Sequence, residues 1–264
     1  MNLHLASIHV YPVKSLGGFA VPEARLTDRG LEHDRRWMLV DAHGRFLTQR
    51  EVPEMALLRC APAAQGFRIT DIRNGDRIEL PWSLEEGTPH TTRIWDDPVV
   101  TRDATHERNG WFRERLPRVD RLVYMPESTH RAVDPKYAEG LTSLSDGYPY
   151  LILSQASLDD LNDRMPKALP MDRFRPNLVI AGGEAFQEDV WRHVAIGDCR
   201  FELVKPCARC VIPTTDQDTA QRSAEPLRTL NNYRRQGDRI LFGMNAMGKA
   251  GTVVRVGDLV QPLP

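Results

Sequence analysis

The stretch Lys205-Pro206-Cys207-Ala208-Arg209-Cys210-Val211-Ile212-Pro213-Thr214-Thr215-Asp216-Gln217-Asp218-Thr219 follows a short apolar run, Phe201 to Val204, that reads as a strand. Its cysteines are spaced CxxC, and their surroundings decide between architectures. A thioredoxin-like redox pair needs a βαβ context. The flanking chain reads instead as β hairpins, with strand patterns at Val194 to Ile196, Ile240 to Met244, Thr252 to Val256 and Leu259 to Val260. Gly257-Asp258 is the expected turn between the last two. A structural zinc site needs four ligands, and Cys199, Cys207 and Cys210 supply three. Two buried thiols are the plainer alternative. Lys205 and Arg209 would favour a thiolate, and a soft thiolate suits a thiophilic metal centre.

Upstream, period-two patterning recurs. Leu3, Leu5, Ile8 and Val10 fit a strand with one change of face, ending near Tyr11-Pro12. Trp37 to Val40 and Phe46 to Thr48 flank Asp41 to Gly44 as a hairpin. Phe67 to Thr70 and Arg77 to Leu80 flank Asn74-Gly75, the strongest short hairpin signal. Arg121 to Tyr124 and Asn177 to Ile180 are further strands. Helices are fewer: Thr105 to Leu116, a stretch opened by Ser157 and Asp160 as a capping box, and one opened by Glu225-Pro226 and stopped by Gly237. The pattern predicts a mainly β protein with a few helices, of barrel or sandwich type. A compositional dip at Glu127 to Gly140 places the junction of two domains, 1–125 and 126–264.

The 264 residues are 41% hydrophobic and 27% charged, with a formal net charge of -1. That is an ordinary globular composition. It argues against broad nucleic-acid or membrane-surface binding, which need a basic excess. No apolar run approaches the roughly 18 residues of a membrane span, and the N-terminus lacks the features of a secretory signal. The expected location is the cytoplasm, where the four cysteines stay thiols. Cys60, in Leu57-Leu58-Arg59-Cys60, reads as a small buried hydrophobe.

Three further clusters suit an anion. In Tyr11-Pro12-Val13-Lys14-Ser15-Leu16-Gly17-Gly18 a cation, a hydroxyl and paired glycines at a strand end could bring a charge and backbone N–H groups against a phosphate. A glycine turn with a solvated lysine is the alternative. In His33-Asp34-Arg35-Arg36-Trp37, adjacent arginines point to opposite faces, one towards a site and one towards solvent. Arginine suits phosphate through its planar fork. In Asp172-Arg173-Phe174-Arg175-Pro176-Asn177, Pro176 biases Arg175 to an extended backbone, so that Arg175 and Asn177 share a face. An ion pair with Asp172 plus a turn is the alternative there.

In order along the chain, YPVKS, DRRW before a strand, LILSQASLDDLN, FRPN and ARCVIPTTDQDT resemble the MOSC superfamily, named after the molybdenum cofactor sulfurase C-terminus. They most resemble the subfamily of the amidoxime reducing component and its bacterial relatives. The resemblance covers nearly the whole chain, its five motifs lying in order between Tyr11 and Thr219. It implies a MOSC β-barrel after an N-terminal β-rich domain, with a molybdenum cofactor (molybdopterin) between them. Cys210 would ligate molybdenum and be the catalytic residue. Lys14, Ser15, Arg35, Arg175 and Asn177 would bind the cofactor, Cys207 would be a partner cysteine, and Asp216 and Asp218 would set the loop. The implied activity is reduction of N-hydroxylated compounds, amidoximes and hydroxylamines. The chain closes on Gln261-Pro262-Leu263-Pro264 without the cysteines of an iron–sulfur domain, so a separate ferredoxin- or flavin-type donor protein is expected. Neither nicotinamide nor pyridoxal phosphate is expected. A sulfur (persulfide) carrier or cofactor-handling protein is the competing reading.

Overall fold

The computed structural model describes residues 2–264. The strand His4–Val10 buries Leu5, Ile8 and Val10 and shifts register between Leu5 and Ser7, the change of face its alternation implies. It pairs with Leu178–Ala181, which runs parallel to Tyr150–Ser154. Arg239–Gly248, Cys199–Ala208, His193–Ile196 and Val260–Leu263 then follow in antiparallel order. The last strand returns to the first: Leu5 N donates to Asp258 O at 2.9 Å and Val260 N to Leu3 O at 3.0 Å. The sheet therefore curls towards a barrel, which removes open edges. Leu5, Ile8, Tyr150, Ile152, Ile180, Phe201 and Ala246 fill it. Sheet pairing thus crosses residue 125, because the first strand of the chain belongs with strands of the second half.

A second core gathers Trp37, Leu39, Phe67, Ile69, Phe112 and Leu122. It draws on two smaller sheets. One orders Trp37–Val40, Arg121–Tyr124, Asp97–Asp103 and Pro89–Ile94; the other orders Leu58–Ala63, Gly66–Asp71 and Arg77–Leu80. Among the described residues there are three α-helices, so the architecture is mainly β, as expected. None is long and apolar enough to cross a membrane.

Local signals differ from the outcome in several places. The helix Gln155–Asp163 is capped by Ser154, whose Oγ accepts from Ser157 N at 3.1 Å; Ser157 is its third residue, not its start. Val253–Arg255 and Val260–Leu263 do not form a hairpin with each other. Val256 N and Gly257 N are already bonded to Pro22 O and Leu5 O, so the strands separate to Glu23–Thr27 and His193–Ile196. The Asn74-Gly75 turn is wider than two residues, closing where Asp71 N donates to Asp76 O at 2.8 Å. Arg175 is not extended: it has φ 56°, ending the 3-10 turn Met171–Arg173 in the left-handed conformation common at helix ends.

Candidate active site

The strand Cys199–Ala208 leads into Arg209-Cys210 and the 3-10 turn Ile212–Thr214. Side chains then pin the following loop. Asp216 Oδ1 accepts from Asp218 N at 3.1 Å and Thr219 N at 3.0 Å, and its Oδ2 accepts from Arg173 Nη2 at 2.7 Å. This is the local side-chain to backbone bonding by which aspartates shape turns. Asp218 instead accepts from Arg59 Nη2 at 2.7 Å. Gln217 and Gln49 exchange two side-chain bonds, of 3.0 and 3.1 Å, and Gln49 Nε2 donates to Ser15 O at 2.8 Å. The cysteine loop is thereby fastened to the lysine segment.

Between them lies a cleft of about 440 Å³ lined by Lys14, Ser15, Arg35, Arg175, Asn177, Cys207 and Cys210, among others. Every site residue expected from the sequence reaches it. Lys205, Arg50, Arg209 and Arg239 add their charges, so seven cations face it against one carboxylate, Asp146. A larger hollow of about 610 Å³, between Arg200–Glu202 and Met247–Lys249, contains none of these groups.

Lys14 is buried rather than solvated. Its ammonium donates to Leu144 O at 2.8 Å and Asp146 Oδ1 at 2.6 Å. Burial pushes its pKa down to about 8, and the Asp146 carboxylate only partly compensates. Asp146 is half-exposed and also takes a bond from Arg50 Nη2. Against the effect of burial, Lys14 and Arg50 hold it well below the usual carboxylate range. Part of the neighbouring backbone is engaged within the protein. Lys14 N and Gly17 N donate to Trp37 O at 2.8 Å and Leu58 O at 2.9 Å. Gly17 and Gly18 serve close packing instead, since a Cβ there would lie 2.5 Å from Arg59 Cδ or from Val10 O.

Arg35 Nη1 donates to Asp34 Oδ2 and, at 3.1 Å, to Asn177 Oδ1, while its Nη2 reaches Arg175 O at 3.3 Å. Arg175 Nη1 donates to Leu16 O at 2.7 Å. Both guanidinium groups lie over the ring of Tyr11, 4.8 Å from its centroid for Arg35 and 4.3 Å for Arg175. Such cation–π contacts strengthen when desolvated. Burial lowers the pKa of Arg175 to about 10, with Tyr11 opposing the shift, and pushes the Tyr11 phenol up to about 12. Arg36 does not meet solvent. It is buried, donating to Glu127 Oε1 and Met125 O, both at 2.5 Å.

Ser15, Arg35 and Arg175 have φ of 67°, 50° and 56°. Left-handed backbone at non-glycine residues is strained and gathers at functional sites. Here three such residues line one cleft.

Of the two cations expected beside the thiols, Arg209 reaches one of them and Lys205 turns to an aromatic ring. Arg209 Nη1 donates to Cys207 Sγ at 3.2 Å, and Lys205 lies 3.9 Å from the centroid of the Tyr137 ring. The cation that feels Cys210 is Arg50: burial opposes its charge, but Asp146 and Cys210 outweigh burial and hold its pKa above the ordinary value. Neither Arg50 nor Asp146 is marked by a sequence motif. Gln49-Arg50-Glu51 reads as surface, and Asp146-Gly147 as a turn. Cys60 and Cys199 are buried in the two cores, where burial raises the Cys60 thiol to about 12. Among the described residues no three His, Cys, Asp or Glu side chains converge as metal ligands.

The curled sheet thus sets a thiol pair among guanidinium groups at one cleft. The chain belongs to the MOSC family: a MOSC domain matches residues 140–261 and a MOSC N-terminal beta barrel domain matches residues 2–118. It is 31% identical over 275 residues to mitochondrial amidoxime-reducing component 1 of Homo sapiens, covering 97% of this chain and 82% of that protein. It is 34% identical over 279 residues to mitochondrial amidoxime reducing component 2 of Rattus norvegicus, with the same coverage. The molybdenum cofactor sulfurase of Oryza sativa subsp. japonica is 34% identical over 266 residues, 92% of this chain but 32% of that protein. The chain thus spans about a third of the sulfurase.

Proposed function

We propose that the cleft holds a molybdenum-pterin cofactor and that the protein reduces N-hydroxylated compounds with electrons from a separate donor protein. The observation that carries the reading is the donor set. Arg175 Nη2 and Arg209 Nε are buried without an acceptor, in a cleft where cations outnumber carboxylates seven to one. Unpaired buried donors are costly, and an anionic heterocycle would satisfy them. The residues present therefore fit the group. Lys14, Ser15, Arg35 and Arg175 would hold its phosphate and pterin, and the Cys210 sulfur would ligate the metal. Asn177 would fix Arg35 through its amide oxygen, which also accepts from Leu151 N, while its Nδ2 donates one of its two N–H groups to His9 O.

When bound, the cofactor supplies a two-electron redox centre. For an amidoxime, the N–O bond breaks as two electrons and two protons are taken up, giving an amidine and water. The names of the relatives point to this substrate class. A reducing compartment such as the cytoplasm suits four free cysteines.

The test is reduction of benzamidoxime by protein produced in a cofactor-competent host, with reduced viologen as donor and molybdenum and pterin quantified. Turnover proportional to molybdenum content supports the reading. A labile persulfide on Cys210 without molybdenum-dependent turnover would establish the carrier reading instead, for which the similarity to cofactor sulfurases speaks.

A further inference from the structure

The strands Pro89–Ile94 and Asp97–Asp103 pair from Ile94–Asp97 outward, leaving Trp95-Asp96 as a two-residue turn. Trp95 has φ 53°. Tight hairpins favour Asn, Asp or Gly at such positions, and a bulky side chain there is strained. The sequence nevertheless places an indole at this tip, and half of it is exposed.

The ring is fixed. It meets Phe46 edge-on, with centroids 5.0 Å apart and planes at 70°, and the Arg50 guanidinium lies 5.0 Å from its centroid. Arg50 in turn is a wall of the cleft that contains Cys210 and is tied to Asp146. Trp95 therefore stands one guanidinium away from the cleft, with aromatic surface uncovered. No exposed large apolar side chain among the described residues lines the cleft itself, and Trp95 adjoins it through Arg50. One indole offers surface for a single ring, far less than a protein partner buries.

We propose that Trp95 is a specificity-determining residue: an aromatic shelf beside the cleft that takes the ring of an aryl-bearing N-hydroxylated substrate. This rests on the reductase reading above. The electrostatics agree with the class, since an amidoxime is neutral and can enter a cationic cleft. The amidine product is protonated, and like charge favours its departure.

The experiment compares benzamidoxime with acetamidoxime on cofactor-loaded protein, with reduced viologen as donor. Trp95→Ala should raise KM for benzamidoxime about three- to tenfold, the loss expected for one aromatic pair, and leave acetamidoxime within about twofold. Trp95→Phe should keep most of the preference. Calorimetric binding of benzamidoxime without a donor should weaken in Trp95→Ala by the same factor. An equal shift for both substrates, or none, overturns the shelf while turnover stands. An effect confined to KM for a protein donor also overturns it, making Trp95 part of the donor's docking face. Failure of the unaltered protein to reduce either compound sinks the reductase reading and the shelf with it.

Discussion

Arg35 and Asn177, 142 positions apart in sequence, meet where the arginine Nη1 donates to the amide oxygen at 3.1 Å. The same amide accepts from Leu151 N at 3.2 Å and donates to His9 O at 3.2 Å, and its residue is 1% exposed. Asn177 therefore joins the barrel strands on either side of Leu178–Ala181 to a cleft arginine. Asn177→Ala would leave a buried N–H and a buried C=O unpaired and release one bond of Arg35.

The expected loss for Asn177→Ala is about 2 kcal/mol of unfolding free energy, read by urea denaturation. Cofactor occupancy should fall as well, because Arg35 loses its tether. An unchanged denaturation midpoint would remove Asn177 from the framework of the cleft.

Lys14 should make anion binding in the cleft pH-dependent. Its pKa is depressed to about 8, so its positive charge is present below that pH and is lost as pH rises through it. Retention of the cofactor should therefore weaken between about pH 7 and 9, measured as molybdenum and pterin remaining after gel filtration. Stability should move the opposite way. Between about 8 and the ordinary 10.5 the unfolded chain binds the proton and the folded one does not, so this group's contribution rises with pH. Lys14→Arg, charged throughout, should abolish the step in retention. A step of the same size in that variant would assign it to another group.

Much of this was legible in the sequence because strong local patterns coincided with tertiary need. The change of face within His4–Val10 is a bulge that keeps Leu5 and Ile8 both inside the barrel. The charged and thiol residues of the four motifs converge because the strands that carry them are neighbours or feed the same loops. The missed features depend on partners distant in sequence. Pro89–Ile94 begins Pro-His-Thr-Thr, too polar to signal a strand, yet it pairs along its full length with Asp97–Asp103. Arg50 and Asp146 acquire their roles only from each other and from Lys14, across roughly a hundred positions. The left-handed backbone of Arg175 runs against the bias set by Pro176, because closing the preceding 3-10 turn prevails.

Arg175 should be the least replaceable of the cleft cations. It combines a bond to Leu16 O, stacking on Tyr11 and a buried N–H without an acceptor. Arg175→Lys keeps a charge but loses the planar fork. A lost charge-assisted bond corresponds to about a tenfold or greater fall in cofactor affinity. The measurement is competition for cofactor between variant and unaltered apoprotein. Equal partition would exclude Arg175 from the binding set.

The two cysteines of the CxxC pair should separate cleanly. Both are half-buried, but Cys207 receives a bond from Arg209 at 3.2 Å, whereas Cys210 shares the cleft wall with Arg50. If Cys210 is the metal ligand, Cys210→Ala should abolish molybdenum retention and turnover. Its thermal midpoint should change little, since a partly exposed small side chain buries little area. Cys207→Ser keeps a hydrogen-bonding atom in reach of Arg209, so it should retain molybdenum and most activity. Elemental analysis, thermal unfolding and benzamidoxime reduction on the three proteins together decide the matter. Equal loss of molybdenum in both variants, with the fold intact, would indicate that the pair acts as a dithiol and that Cys210 has no distinct role.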